Sequence, residues 1–261
     1  MKKFDNPNFR TPKYKEAFET CIVSTFERSA QIDYLTARVL WRIGNFRGFS
    51  WSSSQAIEKL IKTVFLLNRR CAKFSHDYEN HIATLEEIAG DLLPSAIDIP
   101  DALRVELDPD TPSSVSTTSA IKLFSRIGSA QSRYRESNLD IEPHFIHLLD
   151  GLFAILGRLC VDLDSERVPD NSWRDFLASD PHVGFGLREV DRIISRSQDS
   201  QFLASALSNW NFAYLENPPT PNGFHSFHLE NNGTLVLDTL SDQVRASIWK
   251  TLSDNSMMRE P

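Results

Sequence analysis

From about residue 13 to residue 43, apolar side chains return every three or four positions. Phe18, Ile22, Phe26, Ala30, Tyr34, Ala37 and Trp41 share one face, which predicts a single long amphipathic helix. Gly44 and Gly48 bracket its exit, where glycine supplies the positive φ that a helix end often needs. Ser52, Ser53 and Ser54 then offer N-cap hydroxyls to a second helix, whose broad apolar face holds Ile57, Leu60, Ile61, Val64, Phe65 and Leu67. A third begins near Ser75, turns Tyr78, Ile82, Leu85 and Ala89 inward, and ends before Pro94. Short links predict that these three pack as antiparallel neighbours.

The periodicity breaks across residues 94–118. Pro94, Pro100, Pro109 and Pro112, with the serine and threonine run that follows, read as an internal loop or lid. A shorter helix is expected over about Ser119–Ser132. After it comes the most apolar stretch of the chain, His144–Leu163, with Leu148, Leu149, Leu152, Phe153, Leu156, Leu159 and Leu163 on more than one face. Such a helix belongs at the centre of a core. So apolar a segment also predicts a homodimer that helps to cover it.

Arg167–Asn171 marks a boundary. The expected organisation is an all-α antiparallel bundle over residues 1–168 and a C-terminal extension over residues 169–261. In the extension, helix-prone stretches at Ser172–Ala178, Gly184–Arg196 and Ser200–Leu215 precede a Pro-rich stop. Phe224–Leu229 and Thr234–Leu237, joined around Asn232-Gly233, then predict a β-hairpin, and a last helix reaches about Leu252.

Charge adds a constraint that the pattern does not. The net charge is −7, yet the first 80 residues hold 14 Lys and Arg against 8 Asp and Glu, and the rest hold 14 against 27. A globally acidic chain is repelled by polyphosphate at long range, so non-specific nucleic-acid binding is not expected. The basic first third can still form a local phosphate-binding patch, or dock on acidic surface. Three scattered cysteines without a Cys-x-x-Cys pair suit reduced thiols. With no long apolar span and no signal-like N-terminus, the chain reads as cytoplasmic, without a membrane partner.

One run carries a family likeness. Asp33 and Ala37 on the first helix, Gln55-Ala56-Ile57-Glu58-Lys59 and Lys62 on the second, His76-Asp77 opening the third, and Arg133-Tyr134 before the apolar fourth stand in this order. Over about the first 165 residues the chain therefore resembles the HEPN domain, the higher eukaryotes and prokaryotes nucleotide-binding domain. The resemblance implies an all-helical, commonly homodimeric module that engages a nucleotide, RNA or a partner protein, at times in a toxin–antitoxin or defence setting. It implies no cofactor and no metal.

Catalytic HEPN members are metal-independent endoribonucleases with an Arg, a polar residue, and a His four to six residues beyond the Arg. The His moves a proton at the ribose 2′-hydroxyl, and the Arg stabilises charge on the phosphorus. Here Arg133 and Arg135 stand before the last core helix, but the next histidine, His144, is too far along. The family spacing occurs instead from Arg70, or Arg69, to His76, between the second and third helices. The candidate catalytic residues are thus Arg70 with His76, and then Arg133, Arg135 and His144. Lys59, Lys62 and Arg69 are candidate ligand-binding residues, Lys62 also forming an i,i+4 pair with Glu58. Three readings stand: a binding module, an endoribonuclease and a structural interaction protein. His144, His147 and Asp150 share a helix face, but no third-ligand motif completes a metal site.

Overall fold

The computed structural model describes residues 4, 6–71, 78–101, 111–129, 141–164, 173–179, 187–208, 211, 213 and 250. The expected first helix runs unbroken from Pro12 to Arg42, as α1 (Pro12–Ile22), a π-helical turn (Val23–Glu27) and α2 (Arg28–Arg42). Pro12 opens α1, where its missing N–H and preset φ cost nothing. Phe18, Ile22, Ala30, Tyr34 and Ala37 are buried as the pattern requires. Phe26 is only half-buried, and at the π turn the inward position falls to Glu27.

Helix α2 ends in a Schellman turn. Gly44 takes φ +72°, Gly44 N–H donates to the Trp41 carbonyl at 3.0 Å, and Asn45 N–H donates to Leu40 at 2.9 Å. Helix α3 (Phe46–Leu67) then starts earlier than the serine run suggested. Asn45 caps it by accepting from Gly48 N–H at 3.0 Å. Gly48 and Ser52–Ser54 are therefore inside the helix, and the serines are buried. Gly128 explains why small residues stand there: a Cβ on it would lie 2.0 Å from Ser54 Cβ, so the end of the helix Thr117–Ile127 approaches at that point.

Helix α4 (Ile82–Ala89) is shorter than expected and is flanked by 3₁₀ turns at Glu79–His81 and Gly90–Leu92. The segment read as loop contains a two-stranded antiparallel sheet, β1 (Ala96–Asp98) with β2 (Ser114–Ser116), in the register Ile97↔Val115. Strands of three residues are too short to show a period of two, which is why the pattern missed them. Ser116 then caps α5 (Thr117–Ile127), accepting from Ser119 N–H at 3.1 Å.

Helix α6 (Phe145–Arg158) is the core helix, with Leu149, Leu152 and Leu156 each 0% exposed. Its cover comes from α2, α3, α5 and β1 within the same chain. Gly151 lets β1 lie against it, since a Cβ there would meet Ile97 at 2.7 Å. The apolarity of this helix accordingly makes no demand for a second subunit, which removes the argument that led to a homodimer.

Three short helices follow: α7 (Trp173–Ser179), α8 (Arg188–Arg196) and α9 (Ser200–Ser208). Arg174 of α7 donates to the Ala89 carbonyl at 2.7 Å and to Ile88, closing the end of α4. Helices α8 and α9 pack together and on α2. The pairs Arg42/Phe202, Arg38/Ala206 and Tyr34/Asn211 run in opposite senses, so α9 is antiparallel to α2. Among the described residues the molecule is mostly helical with one small sheet. The expected hairpin at 224–237 and most of the last helix lie outside the described residues. Among the described residues no helix is long and apolar enough to cross a membrane.

Candidate functional site

Polar chemistry concentrates on two faces of α2. On the buried face, Asp150 of α6 is reached by Arg38 Nη1 at 2.5 Å and by the Tyr34 hydroxyl, which donates to Oδ1 at 2.7 Å. Tyr34 also stacks on Phe153, with ring centroids 4.1 Å apart and planes 6° from parallel. Asn211 Nδ2 donates to the Tyr34 oxygen at 2.7 Å, and Arg38 Nε donates to the Ala206 carbonyl at 2.8 Å. Both Asp150 oxygens and the Tyr34 hydroxyl are thereby matched, as burial requires. Burial works to lower the Arg38 pKa, but Asp150 and then Tyr34 reverse this and hold it above the ordinary arginine value. Burial, then the charge of Asp150, pushes the Tyr34 phenol far up, so it acts only as a neutral hydrogen-bonding group.

The same face continues one turn at a time. Gln31 Oε1 accepts from Glu189 N–H at 2.9 Å, supplying a partner for one of the free N–H groups at the start of α8. Glu27, buried in the π turn, has its carboxyl pushed up to about 8 by burial, against the nearby charges of Arg28 and Arg188. At the other end, Arg42 donates to Ser205 Oγ and lies over the Phe202 ring at 4.8 Å.

The second face is shallower. Lys59 Nζ of α3 lies 2.5 Å from Asp33 Oδ2 and donates to Ser29 Oγ at 2.7 Å, with both charged side chains about a quarter exposed (26% and 25%). Burial raises the Asp33 carboxyl above its usual range, and Lys59 works against that. Lys62 pairs with Glu58, which also accepts from Gln55 Nε2 at 3.3 Å. Of the residues that carry the family likeness, Asp33, Gln55, Glu58, Lys59 and Lys62 line one seam between α2 and α3, while His76, Asp77, Arg133 and Tyr134 lie outside the described residues. Both candidate ligand-binding lysines there are engaged with carboxylates.

The remaining described candidates, Arg69, Arg70 and His144, make separate contacts. Asn68, Arg69 and Arg70 close α3 in a second Schellman turn, with Arg69 at φ +56° where Gly44 stands in the first. Arg70 N–H donates to Phe65 at 2.7 Å, and its Nη2 donates to Glu87 at 2.7 Å. His76, Arg133 and Arg135 lie outside the described residues. His144 Nδ1 sits 3.3 Å from Glu142, and burial lowers its pKa while Glu142 opposes. His147 Nε2 donates to the Asp98 carbonyl at 2.9 Å, tying α6 to β1. The shared face of His144, His147 and Asp150 thus serves three separate contacts. Among the described residues no group of three or more His, Cys, Asp or Glu could hold a metal. No family model, curated protein or solved structure matches this chain.

Sequence reasoning missed the Tyr34–Arg38–Asp150 group. Arg38 is not singled out by the sequence pattern, and Asp150 reads only as a companion of the histidines. One signal was present in the sequence: an aspartate at the centre of the most apolar helix requires a partner.

Proposed function

We propose that this chain is a non-enzymatic binding module of the HEPN type, which engages the phosphate of a nucleotide or RNA along the α2–α3 seam. The observation that carries this reading is the Ser29–Asp33–Lys59 cluster. It places a lysine ammonium at an edge where about a quarter of its side chain is exposed (26%), held in position by two oxygens. An ion pair at such an edge contributes only about 0–1 kcal/mol to stability. A phosphate can therefore take over Lys59 at little cost to the fold, with Lys62 one turn away.

Fluorescence anisotropy with labelled nucleotide and short RNA, in chelator, tests this. Lys59→Ala with Lys62→Ala should weaken binding about tenfold or more, and added salt should weaken the wild type. Unchanged affinity in the double variant sinks the proposal. The endoribonuclease reading replaces it if RNA is cleaved in chelator and cleavage disappears in His76→Ala or His144→Ala. The homodimer implied by the resemblance belongs to this proposal and is checked by light scattering at micromolar concentration.

A further inference from the structure

The face that α2 turns to α8 and α9 has an order of charge that packing alone does not require. At the start of α8, where unpaired N–H groups leave partial positive charge, α2 presents the acceptor oxygen of Gln31. At the end of α9, where carbonyls are left over, it presents Arg38 to Ala206. Arg42, one turn further, takes Ser205 and Phe202. One helix face therefore caps both ends of a helical hairpin. The apolar part of the contact consists of the buried Leu187, Val190, Ala206 and Leu207, with Ile193 and Ile194 partly buried beside them. Each of α8 and α9 has nine residues, too few to stay helical in water once undocked.

From this we propose that α8 and α9 form a detachable cover over Tyr34, Arg38 and Asp150. It is held on by sign-matched polar contacts that water can replace, and it opens by local unfolding while the bundle stays folded. Opening turns an ion pair now closed to solvent, with Arg38 3% exposed, into an accessible arginine–aspartate–tyrosine group. This second polar site lies on the opposite side of α2 from the lysine seam and does not depend on it.

Hydrogen exchange on the full chain, read by mass spectrometry, tests the cover. Amides of α8 and α9 should exchange about 100-fold or more faster than those in the middle of α3, which open only with the whole bundle. Gln31→Ala and Arg42→Ala should each speed α8 and α9 further and leave α3 unchanged. Phenylglyoxal should label Arg38 in the wild type, and faster in both variants. Exchange of α8, α9 and α3 at one common rate overturns the proposal. So does an Arg38 that resists labelling while α8 and α9 exchange.

Discussion

The two faces of α2 are both polar, yet they differ in what water can reach. Lys59 and Asp33 sit at an edge with about a quarter of each side chain exposed (26% and 25%). Arg38 and Asp150 make an ion pair of the same 2.5 Å length with side chains 2% and 0% exposed. At the edge, solvent screens the pair and substitutes for either partner. In the interior each charge depends on the other, with Tyr34 beside Asp150 and the Ala206 carbonyl beside Arg38. Equal distances therefore carry unequal consequences, and the difference can be measured.

The largest effect is expected from halving the buried pair. Arg38→Ala or Asp150→Ala leaves an uncompensated charge and should cost about 3–5 kcal/mol in urea unfolding. Replacing both with apolar side chains of similar volume, Arg38→Met with Asp150→Leu, should recover most of that loss. A double variant no better than the singles would show that shape, not charge, governs this face.

Glu27 sharpens the contrast through pH. Its folded pKa, about 8, lies above the ordinary 4.5, so the folded state keeps a proton that the unfolded chain releases. The unfolded state then binds fewer protons, and stability must fall as pH rises from about 5, levelling off above 8. The limiting slope is about 1.4 kcal/mol per pH unit. Glu27→Gln should flatten the profile, and a wild-type slope that survives in this variant would assign it to another group.

The smallest effect belongs to the edge. Lys59→Met should change stability by less than about 1 kcal/mol, and less still in high salt. Combined with Arg38→Met, its effect should add to within about 0.5 kcal/mol, because Lys59 pairs with Asp33 and Ser29 while Arg38 pairs with Asp150 and Ala206. A larger coupling energy would mean that α2 transmits between its faces.

Much of the bundle was legible from spacing alone. The stripe from Phe18 to Ala37, the apolar face of α3 and the burial of Leu152 and Leu156 follow from a period of 3.6, a property of neighbours along the chain. The Lys62–Glu58 pair, four residues apart, was legible for the same reason. What could not be read was any partner chosen across the fold. Arg38 finds Asp150 112 residues away and Ala206 168 residues away, and Gln31 finds Glu189 after 158 residues. On α2 by itself, Glu27, Gln31 and Arg38 make an ordinary polar face suited to water.

Sequence by itself determined which residues must leave water, because transfer of an apolar group depends on the group and scarcely on its partner. Tertiary structure decided which polar residues go with them, since a buried charge is tolerated only where a distant partner arrives at the right distance and angle. The helical bundle could thus be read from the chain, whereas the seam between α2, α6, α8 and α9 came into being only when those helices met.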